Sequence, residues 1–133
     1  IWTVLNGFNA ELFIDGVDHD YCFRAIEKNY GVYLFENVHM QHSLGNKLFV
    51  RNWRTGKQIS RNIHAPFRIY YITRNSLYLI KKYKKNHPFI KKEYMNNLFV
   101  EFKNSFLYNA PLQTTRYFLL GVFHFVLKRS GKL

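Results

Sequence analysis

The chain has 133 residues, 47% of them apolar and 19% aromatic, and carries a net charge of +12. That is one domain's worth of chain with enough apolar material for a core, which excludes a disordered tail. Its apolar runs are broken by Lys, Arg or Asn well short of the roughly 20 residues of a membrane span, no secretory signal is visible, and a single cysteine, Cys22, excludes an internal disulfide and fits a reducing compartment.

The opening IWTVLNGFNAELF reads as the middle of something longer. Residues 11–14 suit a short strand or an extended entry. Asp15 or Asp18 is then a natural N-cap for a helix running through DYCFRAIEKNYG, with Gly31 to end it. The runs VYLFE (32–36) and HMQH (39–42) have the composition of short strands. Residues 43–64 are polar, hold two glycines and lack clear periodicity, which predicts a long loop. Pro66 then opens a helix over PFRIYYITRNSLYLIKKYKKN, whose apolar face includes Ile69, Ile72, Leu77 and Ile80. Pro88 opens a second, on which Ile90, Tyr94, Leu98, Phe102 and Phe106 recur at intervals of four. A third, over TTRYFLLGVFHFVLKR after Pro111, is apolar nearly all round. The organisation is a mixed α/β part, residues 1–64, followed by a helical basic part, residues 65–133.

Charge divides along the same line. Residues 1–36 hold six of the eight acids and balance at −4, whereas residues 37–133 hold Glu93 and Glu101 against eighteen Lys and Arg. An acidic working site beside a cationic face is one reading of that asymmetry, and cationic faces attract phosphates of any kind. Asp15, Asp18 and Asp20 crowd into FIDGVDHDYCFRA. Two carboxylates two positions apart can share a divalent cation; acids in a helix's first turn also serve the macrodipole and the cap. Spacing alone leaves both open.

The run FIDGVDHDYCFRA, followed by KNYGVYL and MQHSLG, resembles the C-terminal half of the catalytic domain of family 2 glycosyltransferases. It is most similar to the rhamnosyltransferase-like branch that assembles bacterial surface polysaccharides, and APFRIYYITRN (65–75) resembles that branch's R-x-Y-Y-x-x-R-N segment. The resemblance covers about residues 5–85. It implies an α/β fold of GT-A type, seen as a C-terminal fragment with short strands and a helical basic tail. It implies an inverting transfer of sugar from a nucleotide-sugar donor to a glycan or lipid-linked acceptor, with the nucleotide-binding half, and so the family's metal-binding D-x-D, absent from these residues.

Under that resemblance Asp18 falls on the catalytic base, and Val17 replaces the Glu often found before it. Such a carboxylate takes the proton of the acceptor hydroxyl as it attacks the anomeric carbon. Asp20 becomes its partner on the first turn, touching acceptor or only capping. His42, in MQHSLG, falls where the family places a histidine beside the donor diphosphate, often as a ligand of Mg²⁺ or Mn²⁺. A metal is therefore expected in the intact enzyme and none on these residues alone. Arg68, Tyr71 and Arg74, at i, i+3 and i+6, are expected along one side of a helix where they grip phosphate or hydroxyl-rich acceptors. A solvated basic face is the plainer account of the same spacing. QISRN (58–62) has Asn62 where processive synthases carry Trp, which favours single addition.

The expected location is the cytoplasmic face of the cell membrane, with the basic helices against anionic lipid. Two readings from other classes compete. Net charge and aromatic content suit a nucleic-acid-binding module, but no reader motif appears and the acidic cluster opposes a phosphate backbone, so nucleic acid is not the expected partner. A structural segment that forms homo-oligomers through exposed apolar surface is the other.

Overall fold

The computed structural model describes residues 1–40, 46–51 and 55–133. Four helices and one hairpin appear among them: α1 (Val17–Glu27), β1 (Asn46–Arg51), β2 (Gln58–Ile63), α2 (Pro66–Tyr83), α3 (Phe89–Tyr108) and α4 (Pro111–Val126). The helical second part is as expected, and prolines open it: Pro66 and Pro111 occupy first-turn positions of α2 and α4, where a missing N–H costs nothing.

α2 is the axis of the molecule, with α3 and α4 packed against it and against each other. Its buried positions split into two apolar clusters. Leu79 and Tyr83 pack with Leu12 and Ile90, flanked by Val17, Phe23, Tyr78 and Tyr94. Ile69 and Ile72 pack with Leu98, flanked by Phe102, Tyr117 and Phe118. The first cluster ties the 11–16 strap and α1 to the bundle; the second is the three-helix core. α4 crosses α2 closely at Gly121, where a Cβ would lie 2.8 Å from the Tyr70 carbonyl oxygen and 2.9 Å from Thr73 Cβ. Only a glycine permits that approach.

Four local expectations change. Residues 11–14 form a turn rather than a strand. α1 begins after Gly16, not at an aspartate cap, and ends at Glu27 with Asn29 at φ 61, two residues before Gly31; asparagine tolerates the left-handed turn that closes a helix. The polar stretch 43–64 holds the antiparallel hairpin β1–β2, which pairs Leu48 with Arg61 and Val50 with Ile59. Its strands are too polar to show a period-two pattern, and β2 leans on α3. Residues 32–36 lie in no strand, and Tyr33, Leu34 and Phe35 are each at least 73% exposed. A run apolar on both faces suits a strand covered on both sides, and no such cover exists among the described residues.

Candidate active site

The site is built on the 11–16 strap. Phe13, Asp15 and Gly16 all have positive φ (62, 63 and 85), a sequence of backbone states that costs non-glycine residues about 1–2 kcal/mol each. Side chains from α2 hold it. The Asn75 side-chain amide lies within hydrogen-bonding distance of the carbonyls of Leu12 (2.9 Å), Ile14 (2.6 Å) and Asp15 (2.9 Å). Arg74 donates through Nη2 to the carbonyls of Glu11 and Leu12, each at 3.1 Å. Gly16 is the hinge into α1, and a Cβ there would meet Leu79 Cδ1 at 2.8 Å.

The strap delivers the three aspartates to three different places. Asp15 accepts a two-pronged interaction from Arg68, through Nη2 and, at 3.3 Å, through Nε. Asp18, in the first turn of α1, is exposed, and its carboxylate has no ion-pair partner among the described residues. Asp20 is fully buried. Its carboxylate accepts from Arg24 Nε (2.8 Å), Lys82 Nζ (2.8 Å) and the Tyr83 hydroxyl (2.7 Å). Burial alone pushes the Asp20 carboxyl up, but the hydrogen bonds from Lys82 and Tyr83 and the charges of Lys82 and Arg24 outweigh it and hold it below the ordinary carboxylate value. The substrate contact expected of Asp20 is thereby replaced by a structural role: it joins α1 to α2, and Arg24 extends the tie to the carbonyls of Leu5 and Gly7.

Asp15 and Asp18 open onto a cavity of about 540 Å³ between the strap, α2 and α3. His19, Tyr94, His64 and Glu101 are among its other polar lining residues. The His19 Nδ1 and Tyr94 hydroxyl are 2.5 Å apart. Burial, and then the charges of Asp18 and Asp20, push the Tyr94 phenol up, so it stays protonated. On the opposite wall Arg68 Nη1 lies 3.2 Å from His64 Nδ1, which must accept, because a guanidinium only donates. With Nδ1 as acceptor, the ring's N–H is at Nε2, 3.7 Å from Glu101 Oε2. Burial pushes Glu101 up; His64 and Arg68 oppose that and Asp15 adds to it, leaving Glu101 above the ordinary range. Asp15, Arg68, His64 and Glu101 thus form a row along one wall, with Asp18 at the mouth.

Arg68, Tyr71 and Arg74 do not share a face. Six residues at 100° each leave Arg68 and Arg74 about 120° apart around α2. Arg68 reaches the cavity side. Arg74 is buried on the other, donating also to the Tyr70 hydroxyl (3.2 Å) and the Gly131 carbonyl (2.7 Å). Tyr71 is buried, accepts from the Leu133 backbone N–H at 2.9 Å and packs on Phe13. Tyr71 and Arg74 therefore build the support of the site and not its lining. His42 lies outside the described residues. Among the described residues no three His, Cys, Asp or Glu side chains are grouped to hold a metal ion.

The residues that sequence reasoning missed, His19, His64, Tyr94 and Glu101, come from four separate segments. Glu101 alone carried a signal, as one of two acids in a region otherwise strongly cationic.

Over 86 residues the chain is 34% identical to the dTDP-rhamnosyl transferase RfbF of Shigella flexneri, a match that takes in 62% of this chain and 26% of that protein. The chain spans about a quarter of the length of the curated relative it matches. No family model matches the sequence, and no solved structure matches it. At the coarse level, then, this is a glycosyltransferase-like segment.

Proposed function

We propose that this segment is the acceptor-side part of an inverting glycosyltransferase of bacterial surface-glycan synthesis, of the GT-A, family 2 type, with Asp18 as its general base. The observation that carries the assignment is the position of Asp18, a carboxylate with no ion-pair partner among the described residues, in a helix's first turn on the lining of the front cavity, in a segment similar to a rhamnosyl transferase. In the reaction, Asp18 takes the proton from an acceptor hydroxyl while its oxygen bonds to the anomeric carbon. The C–O bond to the diphosphate breaks, and its electrons leave with that group. The partial positive charge of the α1 N-terminus favours the ionised form of the base before transfer. Asp15 is held by Arg68 and is not free to compete for the role.

The donor is a nucleotide sugar and the acceptor a glycan or lipid-linked glycan, seated along the His64–Glu101 wall. The divalent metal and the His42 role belong to the intact enzyme, and no step is assigned to them on the described residues. No helix among the described residues is long and apolar enough to cross a membrane; the intact protein is proposed to sit on the inner face of the cell membrane through its basic helices. Flotation with anionic vesicles tests that placement, and the absence of salt-sensitive binding removes it.

The decisive test of the site is Asp18→Asn in the full-length protein. Transfer is expected to fall by about 10²–10⁴, with nucleotide-sugar binding unchanged by calorimetry. Turnover within a factor of two of wild type takes Asp18 out of the role.

A further inference from the structure

A second cavity, of about 430 Å³, lies behind the strap, between the C-terminal half of α2 and the residues that follow α4. Its size is within the range of small-molecule sites, and its composition is the reverse of the first. Five cations line it, Arg74, Lys81, Lys82, Lys128 and Arg129, against one carboxylate, that of Glu11. Arg74 is committed to backbone carbonyls and Lys82 to Asp20. Lys81, Lys128 and Arg129 are exposed and have no carboxylate partner among the described residues. Leu12, Tyr78 and Phe125 supply an apolar floor, and Lys81 Nζ stands 5.8 Å from the centre of the Phe125 ring.

The end of α4 orients this group. Lys128 has φ 56 and turns the chain back, so that the Arg129 N–H bonds the His124 carbonyl at 2.9 Å and the Lys128 N–H the Phe125 carbonyl at 3.1 Å. The helix end is thus closed by its own backbone, and the Lys128 and Arg129 side chains are not needed to cap it. Arg129 is near a histidine, 3.4 Å from His124 Nε2, rather than an acid. Burial, then the charges of Arg129 and Arg74, hold His124 below its usual value.

We propose that this rear cavity is a binding site for an organic phosphate. Lys81, Lys128 and Arg129 hold the phosphate oxygens, and the apolar or aromatic remainder of the ligand lies on Leu12, Tyr78 and Phe125. Three cations without a carboxylate partner among the described residues, around a hydrocarbon floor, match an anion that carries an apolar group better than a bare anion, for which Tyr78 and Phe125 offer nothing. Asn75 lines both cavities, and Leu12, on the floor of the second, is held by the same amide that holds Asp15. Occupancy of the rear site therefore bears on the strap that carries Asp15 and Asp18.

The test is calorimetric titration of the chain with three probes: dihexanoyl phosphatidic acid below its micellar concentration, thymidine diphosphate and inorganic pyrophosphate. One of the two organic phosphates is expected to bind at least about tenfold more tightly than pyrophosphate, and which one does so identifies a lipid or a nucleotide source. The combined variant Lys81→Gln, Lys128→Gln, Arg129→Gln is expected to lose about tenfold or more of that affinity, while Lys57→Gln with Lys103→Gln leaves it unchanged. Lys57, Lys81, Lys128 and Arg129 are exposed and Lys103 is half-buried on α3, and matched thermal melts check that the variants fold. Pyrophosphate binding as tightly as both organic probes, no binding of any probe, or affinity untouched by the triple variant overturns the proposal. None of these readouts uses sugar transfer, so the outcome is separate from that of the Asp18 test.

Discussion

The two sides of the 11–16 strap differ in charge and in how their charges are employed. In front, Asp15, Asp18 and Glu101 gather around a cavity with two histidines and a tyrosine. Behind, five cations surround a cavity with a single acid on its wall. Between them runs α2, whose Arg74, Asn75 and Lys82 neutralise or hydrogen-bond what would otherwise be exposed backbone and buried carboxylate. The comparison explains how a protein of net charge +12 keeps a concentrated acidic site. Most of the described acids and bases that line the two cavities lie on opposite sides of one polar partition, with Arg68 on Asp15 in front and Glu11 behind as the exceptions. Asp20 is paired to Lys82 of the partition itself.

Breaking that pairing is expected to have the largest effect on stability. Asp20→Ala leaves Lys82 and Arg24 facing each other across a buried space and is expected to cost roughly 3 kcal/mol, measured by denaturant unfolding. Because the folded-state pKa of Asp20 lies below its ordinary 3.8, its contribution is present above that value and lost as pH falls through the folded value. The stability gap between wild type and Asp20→Asn should therefore close in acid and persist at neutral pH. A gap independent of pH would show that the carboxylate's charge is not what matters.

The strap can also be loosened with every charge left in place. Asn75→Ala removes the amide shared by three carbonyls and is expected to cost about 1–3 kcal/mol. In the full-length protein, transfer should fall further than stability alone explains, since Asp15 and Asp18 lose their fixed placement. Gly16→Ala acts at the other end of the strap, through a φ of 85 and the approach to Leu79. About 1–2 kcal/mol is expected, seen as a lower melting temperature.

The smallest expected effect is on the front wall. Glu101 is pushed above its ordinary 4.5, so the stability associated with it is complete below that value and lost as pH rises through the folded value. Glu101→Gln should flatten this part of the pH–stability curve and leave the variant at least as stable as wild type at pH 7. A variant less stable at pH 7 would mean that the carboxylate is ionised and paired with His64.

The residues 32–36 make a further contrast, since their apolar side chains stand in water while equally apolar ones in α2 are buried.

Much of the helical part was legible from residue order alone, because prolines mark its starts and the apolar spacing of Ile90, Tyr94 and Leu98 recurs with the turn of a helix. The sequence alone also marked FIDGVDHDYCFRA as the place where scarce acids concentrate. Spacing alone could not separate Asp18 from Asp20, since two positions on one helix turn point in directions about 160° apart and local spacing does not say which faces the bundle. Tertiary packing decided that Asp20 is buried among Lys82, Arg24 and Tyr83 while Asp18 stays open. It likewise moved Tyr71 and Arg74 from the site to its support. The hairpin, the row from Asp15 to Glu101 and the rear cation cluster rest on residues distant in sequence, whose meeting depends on how α2, α3 and α4 pack.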